Sequence, residues 1–214
     1  MKKTIAIIDY DLGNLFSVKQ ACDQFGYNTI VTDKIERISS ADALILPGVG
    51  SFGTAMRNLN KKKLIEPLIR FANSGKPFIG ICLGMQLLFS ESNEFGLTKG
   101  LNILEGSIKK FPIKNDFGEI NIIPQIQWNK IKKPVTNDSN FSILENINDN
   151  SYMYFVHSFY CQPKNVKNIS ATTFYAGIEY PSVIIDKNII GIQFHPEKSG
   201  KNGLEVYKNL IKII

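Results

Sequence analysis

Three cysteines, two histidines and three arginines are all that 214 residues hold of those types. Cys22, Cys82 and Cys161 are odd in number and far apart, which excludes a disulfide framework. There is no Cys-x-x-Cys pair, and His157 and His195 are the only imidazoles. No metal site is expected from that set, and no cofactor. Arg37, Arg57 and Arg70 are the only arginines among 25 basic residues. The net charge of +6 therefore does not point to nucleic acid, because specific phosphate and base contacts favour arginine's planar fork. The lysines are scattered in short groups at 61–63, 109–110 and 132–133. They read as part of a bias toward Lys, Asn and Ile, and no groove-reading motif accompanies them. Long apolar runs are missing too: none approaches the roughly 20 residues of a membrane span. The opening Met1-Lys2-Lys3 and the apolar run behind it imitate a signal peptide. Asp9 and Asp11 break that run early and no small-residue cleavage site follows, so the segment reads as a first strand and the chain as cytoplasmic.

What is present is globular: 43% hydrophobic and 21% charged residues suit a chain long enough to bury a substantial core. One domain over 1–214 is expected, with no internal repeat and no linker. The first half alternates strands and helices. "TIAIID", "NTIVTD", "ALILP" and "PFIGIC" read as strands. "NLFSVKQACDQFG", the segment after Gly53, "LIEPLIRFANSG" and "LGMQLLFSES" read as helices. The second half is strand-rich: "NIIPQIQWNKI", "SYMYFVHSFYC", "NISATTFYAG", "SVIIDKN" and "IIGIQFHPE". A last helix begins near Asn202-Gly203 and places Leu204, Tyr207, Leu210 and Ile211 on one face. Ile113–Asn150 is otherwise polar, Asn-rich and loop-like. The fold class that follows is α/β, a mostly parallel central sheet flanked by helices, with a strand-rich second half.

Gly80-Ile81-Cys82-Leu83-Gly84 is the most informative stretch. It lies where a strand meets a helix and has the Gly-x-nucleophile-x-Gly form of a nucleophile elbow, with cysteine as the nucleophile. A sharp strand-to-helix turn brings backbone close to backbone, so both flanks must be small. The turn pushes the thiol beyond the sheet edge, and the helix N-terminus beneath it favours the thiolate. A buried structural cysteine is the plainer role, and Cys22 and Cys161 suit it better.

A thiolate needs a proton-transfer partner. His195 stands in "GIQFHPEKSG" at the end of a strand over 189–194, with Glu197 two residues on. In extended chain these point the same way, and Pro196 disfavours helix at His195. Glu197 can then fix the imidazole tautomer, as the orienting member of a triad does. His157, mid-strand among aromatics, suits a satisfied core histidine and a substrate-lining residue equally. Gly48, Gly50 and Gly53 match Gly-x-Gly-x-x-Gly, but they follow a later strand than a dinucleotide loop should. Asn73, Ser74 and Gly75 stand where the answering acid belongs.

The chain resembles the class I (triad) glutamine amidotransferases, most closely the glutaminase subunits of imidazole glycerol phosphate synthase. The match rests on "DYDLGNLFSV" (9–18), "LPGVGSFGTAM" (46–56), "GICLGMQLLF" (80–89), "WN" (128–129), "YFVHSFY" (154–160) and "GIQFHPEKSG" (191–200). The resemblance implies L-glutamine as substrate and Cys82, His195 and Glu197 as its catalytic triad. It implies that the loop through Gly48, Val49 and Gly50 lines an oxyanion hole with the Leu83 N–H, and that Gln86, His157, Ser158 and Phe159 hold the substrate. It also implies a (β/α)8-barrel cyclase subunit as heterodimeric partner, receiving ammonia through a channel and making imidazole glycerol phosphate. Two stretches depart from the family pattern: Asp11 replaces a glycine, and Pro124-Gln125-Ile126-Gln127 stands where a His-Met-Gly run precedes Trp128-Asn129. Neither touches the triad. An alternative acceptor is a sugar-amidating enzyme of surface-polysaccharide synthesis. A non-catalytic scaffold is disfavoured by the complete triad set.

Overall fold

A computed structural model describes residues 3–114, 118–134, 143–210 and 212–214. The first half runs β1 (Thr4–Ile8), α1 (Leu15–Asp23), β2 (Asn28–Thr32), α2 (Ile35–Ser40), β3 (Ala43–Leu46), α3 (Phe52–Lys61), α4 (Ile65–Ala72), β4 (Phe78–Ile81) and α5 (Leu83–Leu87). There follow β5 (Phe89–Ser92), β6 (Thr98–Lys99), β7 (Leu104–Lys110), β8 (Gln125–Lys130), β9 (Tyr152–His157), β10 (Phe159–Pro163), β11 (Ile169–Tyr175), β12 (Ile178–Asp186), β13 (Ile189–Ile192) and α6 (Gly200–Leu210). Pro196–Lys198 forms a 3-10 turn between β13 and α6. Among the described residues no helix is long and apolar enough to cross a membrane.

The central sheet has seven strands in the order β11-β12-β13-β4-β3-β1-β2. β13, β4, β3, β1 and β2 are mutually parallel, and β12 and β11 close one edge antiparallel. β3, β4 and β13 carry no polar side chain because both faces are covered. Ala6, Ile8, Leu44, Leu46 and Phe78 face one cluster with α3 and α4. Ile5, Ile7, Ala43, Ile45, Ile79 and Ile81 face the other, with α1 and α6. α1 has the expected face, Val18, Ala21 and Cys22, and Asn14 caps it by accepting from the Ser17 N–H. Gly26, at φ 78°, supplies the left-handed residue that ends it.

The structure differs from the sequence reading in the middle of the chain. The helix expected over 83–92 stops at Leu87, and Phe89–Ser92 is a strand of a second sheet ordered β10-β7-β5-β6. Leu101 N–H donates to the Leu87 carbonyl, and Ile103 and Leu104 N–H both donate to that of Leu88. These tertiary bonds take the carbonyls that further helix would need. β5, β6, β7 and the helix α2 were not anticipated. "SYMYFVHSFYC" is two strands broken at Ser158, with β9 pairing β8 and β10 pairing β7. β13 ends at Ile192 rather than 194, and α6 begins at Gly200. Val206, Tyr207 and Leu210 of α6 are buried and Leu204 is partly so, while Ile211 lies outside the described residues. So do 115–117 and 135–142 of the loop-like Ile113–Asn150 stretch.

Candidate active site

Three neighbouring parallel strands end side by side, and each delivers one part of the site. β3 runs into the 47–50 loop, β4 into Cys82, and β13 toward His195. The registers Leu46↔Gly80 and Ile81↔Ile192 bring these ends level, and the Cys82 N–H donates to the Ile192 carbonyl at 2.7 Å. This is the carboxyl edge of the sheet, where open α/β folds place ligands.

Cys82 sits at φ 54°, ψ −112° between β4 and α5. A non-glycine residue pays about 1–3 kcal/mol for such a backbone, a strain characteristic of functional positions. Close packing enforces it: a Cβ on Gly80 would lie 2.7 Å from the Gly84 carbonyl oxygen. The sulfur is nearly buried and lies 3.8 Å from both the Val156 carbonyl and the Gln193 Nε2.

His195 Nδ1 meets Glu197 Oε1 at 2.8 Å, with both side chains buried. Glu197 reaches it from the 3-10 turn rather than along extended chain. The segment is pinned from β9, since the His195 N–H donates to the Tyr154 carbonyl and Ser199 Oγ donates to the His195 carbonyl. His195 Nε2 is buried without a formed hydrogen bond among the described residues, and its electrostatic partner is the Cys82 sulfur. Burial pulls the imidazole toward neutrality, but Cys82 and then Glu197 outweigh it and push it up to about 10. The imidazole is therefore held protonated at neutral pH.

A cavity of about 260 Å³ opens over these groups, with Cys82, Leu83 and His195 in its wall. Val49, Gly50, Gln86, His157, Ser158 and Phe159 line it as well. Gly48 and Glu197 stand behind the lining. Gly48 is wedged against Tyr10 and Leu83, where a Cβ would come 2.2 Å from the phenol oxygen, and the Tyr10 hydroxyl donates to the Pro47 carbonyl at 2.7 Å. Gly50 turns the loop at φ 96°, a conformation that favours glycine. Two of the expected substrate contacts have prior engagements. Gln86 Nε2 donates to the Phe159 carbonyl and to Gln193 Oε1, and both nitrogens of His157 have partners inside the protein.

Three residues escaped the sequence reading. Glu94 lines the cavity and also accepts from the Phe52 N–H at the start of α3. Tyr10 lies in a quoted motif but gives no sign of reaching Pro47. Gln193 is a fully buried amide among apolar neighbours, two residues before His195. A lone amide in so apolar a run was the available signal.

His157 yields a pH prediction. Its Nδ1 lies 2.8 Å from the Phe159 carbonyl and its Nε2 3.2 Å from the Tyr180 hydroxyl. Burial pulls this imidazole down to about 4 against the Phe159 bond, and the His195 charge adds to the effect. The unfolded chain takes up that proton near 6.5, so the stability is complete above that pH and is lost as pH falls through about 4. The loss is on the order of 3 kcal/mol. His195 acts in the opposite sense, its contribution complete below 6.5 and lost as pH rises through about 10. Denaturant unfolding between pH 7 and pH 4 should show His157→Asn with a flatter acid slope than the parent. Identical slopes would remove His157 as the source.

The chain belongs to the class I glutamine amidotransferases: the family model described as glutamine amidotransferase class-I matches residues 6–213. The structure of PurLQS from Thermotoga maritima superposes with a TM-score of 0.70 at 21% identity, covering 99% of both chains. A crystal structure titled glutamine amidotransferase gives 0.70 at 15% identity, covering 98% of this chain and 97% of the other. At those identities the likeness speaks for the fold alone. Sequence relatives narrow the class. The imidazole glycerol phosphate synthase subunit HisH 1 of Legionella pneumophila is 44% identical over 211 residues, 98% of this chain and 99% of the relative. HisH of Chlorobaculum tepidum is 43% identical over 205 residues, 96% and 98% of the two chains. HisH 1 of Methanococcus maripaludis is 41% identical over 213 residues, 98% and 100%. Within the class, the chain belongs with the HisH subunits of imidazole glycerol phosphate synthase.

Proposed function

We propose that this glutaminase subunit hydrolyses L-glutamine through Cys82, His195 and Glu197, and passes the ammonia to a (β/α)8-barrel cyclase subunit that makes imidazole glycerol phosphate. The observation that carries the reading is that Cys82 and His195 share the cavity wall, with the buried Glu197 carboxylate 2.8 Å from His195 Nδ1 behind it. The thiolate attacks the side-chain carbonyl of glutamine, and N–H groups at Leu83 and in the 48–50 loop receive the oxyanion. The imidazolium, oriented by Glu197, protonates the departing ammonia. It then takes a proton from the water that hydrolyses the glutamyl thioester. The catalytic power rests on dividing one hard amide hydrolysis into two easier steps. Ser158 and Phe159 border the amino-acid end of the substrate, and Gln86 and His157 shape that wall while tied to the Phe159 carbonyl.

Free ammonia is protonated in neutral water and loses its nucleophilicity, so it must leave through a covered route. Exposed apolar side chains support a docked partner: Val49 on the cavity wall is 41% exposed, and Ile122 at 81%, Ile126 at 58% and Trp128 at 49% flank Pro124 in sequence, itself a lining residue. Exposed apolar surface of this kind suits an interaction face. A biosynthetic reaction of this kind supports a cytoplasmic location, and a family match over residues 6–213 supports one domain over 1–214. Names shared by relatives across the full length favour the histidine-pathway acceptor over a sugar-amidating one.

The test is glutamate release by the chain alone and with a cyclase subunit, together with rescue of a histidine auxotroph lacking its own glutaminase subunit. The partner should raise turnover about tenfold or more, the scale of an ordinary allosteric coupling, and the auxotroph should grow. Growth failure despite a folded, expressed chain would turn the assignment toward the sugar-amidating acceptor.

A further inference from the structure

We propose that Gln193 is a positioning residue for the nucleophile, its side-chain N–H holding the Cys82 sulfur as thiolate, and that Gln86 fixes the direction of that amide. This deepens the reading of Cys82 as the nucleophile and rests on it.

The argument follows from donors and acceptors. A backbone carbonyl only accepts hydrogen bonds. The Gln86 atom 2.9 Å from the Phe159 carbonyl must therefore be its nitrogen. That same nitrogen lies 3.1 Å from the nearer polar atom of Gln193, which must then be the Gln193 oxygen. The Gln193 amide is left with one orientation, its NH2 toward Cys82 Sγ at 3.8 Å. The direction is set by a chain of obligate partners, starting at a carbonyl that β10 holds in place. Both side chains are buried, Gln193 completely and Gln86 to 6% exposure, so water cannot replace either bond.

The sulfur's surroundings make this donor matter. Its other near polar contact is the Val156 carbonyl at 3.8 Å, an acceptor that suits a thiol and repels a thiolate. Tyr10 just after β1, Cys161 on β10 and Tyr180 on β12 also feel the Cys82 charge. Burial, with that charge adding to it, pushes all three upward, so they stay neutral. Among these groups His195 supplies the one positive charge, and Gln193 the one directed neutral donor. N–H bonds to charged acceptors are stronger than those between neutral groups, so the amide acts selectively on the ionised sulfur.

The experiment follows iodoacetamide alkylation of Cys82 against pH in the full chain, and kcat and KM for glutamine in the partnered complex. Cys82→Ala serves as the zero for both. Gln193→Met keeps length and removes the donor, while Gln193→Glu sets a carboxylate against the sulfur. The Met variant should move the alkylation curve about one unit to higher pH and lower kcat about tenfold, with KM within about threefold. The Glu variant should exceed it in both respects. Should the Glu variant fail to fold, the Met variant decides alone. A residue that merely packed would change melting temperature or KM and leave the alkylation curve in place. A lowered kcat with an unmoved curve, or a moved curve with kcat intact, overturns the proposal. If Cys82→Ala still releases glutamate, the nucleophile assignment itself fails. If Cys82→Ala is silent and Gln193→Met matches the parent throughout, the positioning role alone falls.

Discussion

Cys82→Ala should leave glutamate release in the partnered complex at background, a loss of at least about 10⁴-fold. The thioester cannot form without the sulfur, and no second thiol can stand in. Cys22 is on the buried face of α1, where burial pushes its thiol up to about 12, and Cys161 is buried on β10 and likewise pushed well above its ordinary value. Two further results separate this from general damage. His195 loses the charge that holds it protonated, so its titration, read by NMR, should fall well below about 10. Cys82→Gly should be as inactive as Cys82→Ala and yet more stable, by on the order of 1 kcal/mol, because glycine accepts φ 54° without strain. Ordinarily glycine is the worse residue at the edge of a helix. A stability order of alanine above glycine would show that the elbow is not strained. Glutamate release persisting in Cys82→Ala would end the triad mechanism.

Legibility in the sequence followed how local each determinant is. β1, β3 and β4 were readable because burial on both faces makes them continuous apolar runs between turn residues. The elbow was readable because its requirement, glycine on both sides of a nucleophile, lies within five residues. Leu87-Leu88-Phe89 suits helix and strand equally, and the choice is made by N–H donors at 101, 103 and 104. Those bonds could not be seen before the second sheet was. His157 was balanced between core and substrate roles for the same reason, as its ring nitrogens are settled by Phe159 and by Tyr180. Glu197 was placed opposite His195 by assuming extended backbone. The 3-10 turn at Pro196–Lys198 brings the two together along another path. Gln125, in the stretch that departs from the family pattern, accepts a hydrogen bond from the Tyr180 hydroxyl at 2.9 Å. The departure is thereby built into the network around His157.

Gly84→Ala should be the most damaging single methyl that can be added to this chain's active site. A Cβ there would fall 1.7 Å from the Leu46 carbonyl oxygen and 2.7 Å from its carbon. These are backbone atoms of a central strand, with no rotamer to escape into, so α5 must move away from β3. Overpacking of this kind costs about 3 kcal/mol or more, and at this chain length each kcal/mol lowers the melting temperature by roughly 2–4 °C. A drop of about 10 °C is expected. The damage should reach chemistry as well. The 47–50 loop begins at Leu46 and the Leu83 N–H begins α5, so this one contact sets the distance between the two sides of the oxyanion site. A displacement near 1 Å costs about 10²-fold in turnover. Gly75→Ala is the comparison: φ is 79° there but the added methyl meets nothing within 4 Å. It should cost about 1 kcal/mol of backbone strain and leave kcat for glutamine unchanged. Thermal melts and glutamate release for the two variants side by side separate strain from collision. A Gly84→Ala chain that melts and turns over like Gly75→Ala would mean that the elbow does not press on β3, and that the oxyanion site is set by something other than that contact.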